Sequence, residues 1–355
     1  GMALNSEHIL NALKKIQEPS SKKNLIEANA IHNLIVSGSK VSFVLKLPAT
    51  SGKFQAELEE ACKKAILALE GVKTVEMKTE QVQAPVGNSL IPGVKNVIAV
   101  AAGKGGVGKS TLACNLAVGL VKNGFKTGLM DADVFGPSIP IMMGANRYPE
   151  VQGNKLVPLE AYGVKLMSIG FLIDENKPVI WRGPMVMGAI QQFFRDVLWG
   201  NLDYLVIDLP PGTGDTQLTL VQTVSLSGAL IICTPQDVAL ADAKKALNMF
   251  RETHVCVLGM IENMSYFRCG KCSEVHHIFG TGGVEKVANE LQVPYLGALP
   301  LLPEIPPMGD KGIPFLAGPE NADTAIFMNV ISRIIQQVQQ RNQAPKPTLI
   351  GISGA

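Results

Sequence analysis

Nine consecutive residues, Gly103-Lys104-Gly105-Gly106-Val107-Gly108-Lys109-Ser110-Thr111, have the types and spacing needed to hold a polyphosphate. Gly105, Gly106 and Gly108 carry no side chains to block it, so backbone N–H groups can turn inward as an anion nest. The pattern G-x-x-x-x-G-K-[ST] is that of the phosphate-binding P-loop. In it Lys109 reaches the β and γ phosphates and the Ser110 hydroxyl binds Mg²⁺. Further along lie Asp131 and Asp133, then Asp208, then the pair Cys269 and Cys272. Carboxylates near a polyphosphate can hold a divalent cation and orient an attacking water. Thiolates two residues apart can bind one soft metal centre.

These residues need elements to place them. An apolar run, Val97 to Ala102, leads into the glycine loop, and Leu112 to Leu120 behind it has helical spacing. Strand, loop and helix in that order aim a positive helix end at the anion. Lys126 to Asp133 reads as a strand ending in two carboxylates. At such a strand end Asp131 would hold a Mg²⁺-bound water, and Asp133 would orient or deprotonate the attacking water. Leu205 to Asp208 is four residues of Walker B type, which put Asp208 on the Mg²⁺ side. The Pro and Gly residues from Leu209 to Asp215 suit a loop that moves with the γ-phosphate. Asp215 fits either the site or the loop surface.

Further strands are expected at Ala229 to Thr234, Val255 to Ile261 and Val293 to Leu299. Helices are expected at Met185 to Leu198, Ala239 to Thr253, Gly283 to Leu291 and Thr324 to Gln340. Val164 to Ile169 and Pro178 to Trp181 read as short strands or extended loops, and Leu301 to Pro319 as a loop. Apolar strands alternating with amphipathic helices predict an α/β fold, a doubly wound and mainly parallel sheet. Residues 94–340 form this P-loop ATPase domain.

Ahead of it, residues 1–80 read as helix, strand, strand, helix and strand: a small α+β domain that we expect to dock or regulate. Gly1 before Met2 reads as a tag remnant. Residues 81–93, with Pro85, Gly87, Pro92 and Gly93, read as a linker. Residues 341–355 carry little helix or core signal and are expected to be a mobile tail. A net charge of +2 implies neither nucleic acid nor anionic membrane. No apolar run reaches spanning length, and no basic-then-apolar signal segment is present. The six cysteines form no disulfide framework, which suggests a reducing cytoplasm. Cys62, Cys114, Cys233 and Cys256 read as small buried hydrophobes.

Cys269-Gly270-Lys271-Cys272 lies on a loop. Two cysteines cannot close a four-ligand site alone, but a symmetric dimer lends two pairs to one shared [4Fe–4S] cluster. A zinc ion held with His276 and His277 is a second reading. A thioredoxin-like redox pair is a third, disfavoured because the motif does not open a helix.

The loop with its second lysine, G-K-G-G-x-G-K-[ST], resembles the deviant P-loop of the MinD/ParA/Mrp ATPases. Asp131-Ala132-Asp133-Val134-Phe135-Gly136-Pro137-Ser138 resembles the switch I segment of the Mrp group, and Trp181-Arg182-Gly183-Pro184 matches a block in it. From Val94 to about Gln340 the chain resembles the Mrp/ApbC family, and residues 1–80 resemble the small domain of iron–sulfur assembly factors. The resemblance implies that Lys104 reaches the nucleotide of a facing subunit and that Asn263 reads the adenine ring. It also implies a cytoplasmic, homodimeric ATPase, slow in turnover, that carries a [4Fe–4S] cluster from scaffold proteins to apo iron–sulfur proteins, without nucleic acid or membrane partners. Two alternatives are a MinD/ParA-like positioning ATPase and a zinc-stabilised nucleotide-binding regulator.

Overall fold

The computed structural model describes residues 4–19, 23–82, 91–172, 183–237, 240–343 and 349–353. They fall into two compact units, 1–85 with 343–355, and 86–342. Each is built around its own apolar core.

The smaller unit runs α1 (Ser6–Leu13), β1 (Ile31–Ser37), β2 (Lys40–Pro48), α2 (Gln55–Leu67) and β3 (Thr74–Val82). Asn5 caps α1 by accepting the His8 N–H at 3.0 Å. Along β2, burial alternates from residue to residue, so Val41, Phe43, Leu45 and Leu47 face the core. β2 pairs with β1 antiparallel and with β3 parallel.

The larger unit begins with β4 (Val94–Ala101), α3 (Lys109–Lys122), β5 (Thr127–Asp131) and a single helical turn, α4 (Ile139–Met142). A minor hairpin of β6 (Val151–Gln152) and β7 (Lys155–Leu156) precedes β8 (Leu159–Ala161) and β9 (Val164–Ser168). Then follow α5 (Gly183–Asp196), β10 (Leu202–Asp208), α6 (Asp215–Thr223), β11 (Gly228–Cys233), α7 (Leu240–Glu252) and β12 (Val257–Glu262). A second small hairpin pairs β13 (Phe267–Arg268) with β14 (Val275–His276), and α8 (Gly283–Glu290), β15 (Tyr295–Ala298), α9 (Ile305–Asp310) and α10 (Ala322–Asn342) complete the unit. The main sheet has 8 strands in the order β15-β12-β11-β4-β10-β5-β9-β8. Every pairing is parallel except the edge strand β8, which runs antiparallel to β9. β4 lies near the middle, so its continuous apolar run is buried on both faces.

Three expectations are corrected. Residues 349–353 form a strand, β16 (Leu349–Ser353), antiparallel to β3, where a mobile tail is expected. β3 offers an edge, and the short run Leu349-Ile350-Gly351-Ile352 needs that partner before it becomes a strand. The 81–93 linker is structured at both ends: β3 runs to Val82, and Ile91 is buried in the larger core. The expected loop Leu301 to Pro319 contains α9, whose Pro306 and Pro307 sit in its first turn, where a missing N–H costs nothing. Pro178 to Arg182 lie outside the described residues. Among the described residues no helix is long and apolar enough to cross a membrane.

Candidate functional site

The site is set by strand register. β10 lies between β4 and β5, and its last residue, Asp208, pairs with Val100 on one side and Asp131 on the other. Two carboxylates therefore stand side by side at the carboxyl ends of adjacent parallel strands, where such sheets bind ligands. The phosphate loop leaves β4 at the same edge. Gly106 and Gly108 have φ of 79° and 84°, a left-handed backbone that glycine adopts without strain. Beyond them α3 starts at Lys109.

Lys109, only 6 % exposed, is bonded to Asp208 Oδ1 and stands 3.6 Å from Asp133 Oδ2. The Ser110 hydroxyl donates to Asp208 Oδ2 at 2.6 Å. Lys109, Ser110, Asp133 and Asp208 are thus brought together at the mouth of the phosphate loop. The oxygen pair of Ser110 and Asp208 is a hard-donor set that suits Mg²⁺. Lys104 is exposed on the same loop and Val107 is buried beneath it. Gly103 packs against Asp242, whose Cβ a side chain at 103 would approach to 3.1 Å.

Asp131 is fully buried. Its Oδ1 accepts the Asp133 N–H at 3.1 Å, and its Oδ2 accepts the Ser168 hydroxyl at 2.9 Å and the Ile139 N–H at 3.4 Å. It shapes the loop that presents Asp133. Burial, and then the adjacent Asp208 charge, push its carboxyl well above the usual range. Burial also raises Asp208, with Lys109 opposing the rise.

A testable consequence concerns stability. A carboxyl raised in the folded state stabilises the fold fully below its unfolded pKa and loses that contribution as pH rises through the folded value. Asp131→Asn removes the ionisation while keeping an acceptor for the Asp133 N–H. The nucleotide-free variant should therefore melt higher than wild type above neutral pH. A gain of ~1 kcal/mol corresponds to roughly 2–4 °C for a domain of this size. The difference should shrink on acidification. Thermal scans across pH check this, and a variant that melts lower at every pH would contradict it.

Asp215 opens α6 and is exposed, where an acid complements the helix dipole. The loop before it is tied back to the β4 end: Gly212 N–H donates to Ala102 O at 2.9 Å. Asn263 follows β12 directly. Its Nδ2 donates to Val107 O at 2.9 Å, so it touches the phosphate loop itself. Beside it opens a cavity of about 390 Å³ lined by Gly108, Thr111, Asn263, Met264, Pro300 and Leu302, among others. Its apolar walls next to a phosphate loop suit a flat nucleobase.

Cys269 and Cys272 sit at the tip of the β13–β14 hairpin, Cys272 exposed and Cys269 partly so. Cys269 N–H donates to Glu274 O and Ser273 N–H donates to Cys269 O, both at 2.9 Å. Backbone N–H groups of Cys272 and Lys271, then the Cys272 thiol, hold the Cys269 thiol below its ordinary pKa. Carboxamidomethylation of Cys269 by iodoacetamide, followed by peptide mapping, should accordingly half-saturate in rate below the pH of a free thiol. A profile at or above that of a free thiol would contradict the N–H cradle. His276 contacts Glu274 at 3.6 Å and His277 packs 6.1 Å from the Tyr266 ring. Among the described residues no group of three or more His, Cys, Asp or Glu is placed to hold a metal.

Sequence reasoning passed over Ser168, Asn115 and the pair Glu262 and Ser265. Asn115 ties the loop helix to the chain elsewhere, donating to Thr111 O and accepting the Leu316 N–H, each at 2.9 Å. A polar residue inside an otherwise apolar helix is the one signal it gave.

Sheet order, phosphate loop and the Lys109–Asp208–Ser110 cluster together define a doubly wound P-loop nucleotide hydrolase. Within that class the chain belongs to the NUBPL iron-transfer P-loop NTPase family, whose sequence model matches residues 93–338; a second family, iron–sulfur cluster assembly protein, matches residues 6–77. The iron-sulfur cluster carrier protein of Synechocystis is 43% identical over 94% of this chain and 98% of its own length. That of Escherichia coli is 41% identical over 93% of this chain and 91% of its own. Among solved structures, a nucleotide-binding protein in complex with ADP from Archaeoglobus fulgidus superposes with a TM-score of 0.58 at 39% identity, covering 64% of this chain and 90% of that one.

Proposed function

We propose that the chain is an ATP-hydrolysing carrier of iron–sulfur clusters. Two copies would hold one [4Fe–4S] cluster as cargo between their Cys269 and Cys272 pairs and deliver it to apo iron–sulfur proteins in the cytoplasm. The observation that carries this is the exposed hairpin tip. It offers two thiols, one already favoured as thiolate by backbone N–H groups, on the same domain as an assembled phosphate site. Two thiols, with no third His, Cys, Asp or Glu grouped with them among the described residues, leave half of a four-thiolate site to a second copy. Carrier relatives matched along nearly their full length support the same reading.

The chemistry assigned to the nucleotide site follows from its donors. The N–H groups of Gly105 to Gly108 and the α3 N-terminus receive the phosphates. Lys109 would shift from Asp208 toward the γ-phosphate, where its charge opposes the charge developing on the phosphoryl oxygens. Asp133, freed of part of that ion pair, orients the water and takes its proton as the γ-phosphorus–oxygen bond to ADP breaks. Asp131 fixes the loop beneath Asp133. Mg²⁺, held by Ser110 with Asp208 behind it, would neutralise charge between the β and γ phosphates. Lys104, exposed on the loop, would reach across to the partner's nucleotide, and Asn263 would meet the base in the cavity beside it. Turnover would be slow and coupled to cluster carriage.

Anaerobic reconstitution with iron and sulfide tests the proposal. A brown, oxygen-sensitive dimer with about four irons per two chains is expected. Material that stays colourless and monomeric with nucleotide supplied would refute the shared cluster. Zinc retained in air and indifferent to Cys269→Ala would count against the carrier reading.

A further inference from the structure

The phosphate loop and the cysteine hairpin are joined by a short piece of chain that is bonded at each step. Asn263 is fixed at both ends: its N–H donates to Cys233 O at 2.7 Å, and its side chain donates to Val107 O. A Cβ at Gly108 would run into the Asn263 amide and come within 3.6 Å of Met264 Cε, so this segment lies directly on the loop. Met264 has φ of 53°, a left-handed turn that side chains seldom adopt. The turn is closed by the Ser265 hydroxyl, which donates to Glu262 Oε2 at 2.5 Å. Both residues are buried, at 3 % and 2 % exposed. Glu262 Oε1 is buried with no hydrogen-bond partner among the described residues. Ser265 N–H donates to Leu299 O and Tyr266 O accepts the Leu301 N–H, which passes the chain straight into β13 and on to Cys269.

We propose that Ser265, held by Glu262, is a positioning residue that transmits nucleotide occupancy to the cysteine hairpin. The bistable contact is Asn263 to Val107 O. A nucleobase in the adjoining cavity would draw on the second N–H and the oxygen of the same amide, and so shift Asn263 against its bond to the loop. The Ser265–Glu262 bond is buried and closes a left-handed turn, so breaking it would strand both groups, and that resists partial movement. Without the Ser265 hydroxyl the turn can absorb the Asn263 movement locally. With it, the displacement reaches Phe267 and the tip. Cluster retention and release would then answer to the bound nucleotide through this segment, in addition to any rearrangement of the switch loops. This regulation rests on the carrier reading above, but the transmission itself can be tested on metal-free chain.

The test uses the full chain, freed of metal under anaerobic conditions, with iodoacetamide labelling of Cys269 followed with and without Mg-ADP. Wild type should show a nucleotide-dependent change in labelling rate of about fivefold, the lower end of coupling between sites. Ser265→Ala should hydrolyse ATP as wild type does and lose that change. Ser265→Thr, which keeps the hydroxyl, should retain it. Wild type with no response, Ser265→Ala with a full response, or both variants losing it alike would each overturn the proposal. Should Ser265→Ala fail to fold, Glu262→Gln serves, since it weakens the acceptor and should reduce the response. Cluster assembly by wild type is scored separately, so the carrier reading and the transmission can fail independently.

Discussion

Lys109→Ala should abolish ATP hydrolysis and also weaken the nucleotide-free protein, and the second effect is the more informative. Loss of the phosphate-facing charge should lower turnover by at least about 10²–10³-fold, as removal of a transition-state donor does elsewhere. Yet Lys109 is also the cation beside Asp208 and Asp133 in a buried setting. Removing one partner of a buried pair leaves a carboxylate without compensation, at a cost of about 3–5 kcal/mol. Burial already holds Asp208 above the usual carboxyl range, and Lys109, with the Ser110 hydroxyl, opposes further rise. In the variant Asp208 rises further. A raised folded pKa gives stability that is complete below the unfolded value and is lost as pH rises through the folded one. The gap in melting temperature between wild type and Lys109→Ala should therefore widen with pH and narrow on acidification. The double variant Lys109→Ala/Asp208→Asn should recover stability while turnover stays absent. Equal melting of Lys109→Ala and wild type at alkaline pH would show that the ion pair contributes nothing to the apo fold.

The same residues show what was legible in the sequence and what was not. The phosphate loop was legible because its function lies in backbone: glycine at 106 and 108 is what allows the left-handed turns that are found there. Asp208 at a strand end was legible for a similar local reason. The burial of Asp131 and its bond from Ser168 were not, because they follow from the β5–β10 register and from a residue 37 positions away. In the smaller unit nothing in the sequence marked Glu18 and Glu59 as buried. Glu18 accepts from Ser51 and Glu59 from Thr79, partners that only the fold brings near. β16 escaped notice because a short apolar run becomes a strand only when β3 offers its edge. The cysteine pair was visible as spacing, but the hairpin that exposes it, and the N–H groups that favour its thiolate, are tertiary facts.

Replacing either thiol should remove the cluster altogether rather than halve it. In a shared four-thiolate site each chain supplies two ligands, so Cys269→Ser in both copies leaves two thiolates for a cubane that needs four. The expected result is loss of brown colour, iron and sulfide together. ATP hydrolysis by the metal-free protein should persist, since Cys269 touches none of Lys109, Ser110, Asp133 or Asp208. A mixed dimer is the more searching experiment. With differently tagged chains, one wild type and one Cys269→Ser/Cys272→Ser, the assembly has two thiols on one side and none on the other. It should bind no cluster although half its chains are intact. A single-chain site would behave otherwise, since each intact subunit would keep its own metal and the mixture would hold half the iron of wild type. Iron per dimer in the tag-purified heterodimer therefore separates the two arrangements directly. The exposed position of Cys272 makes the distinction physical: a site completed within one chain would need further ligands beside it, and the described residues place none there. A value near half would remove the shared centre and, with it, the reason for coupling a nucleotide-driven change between subunits to the fate of the cluster.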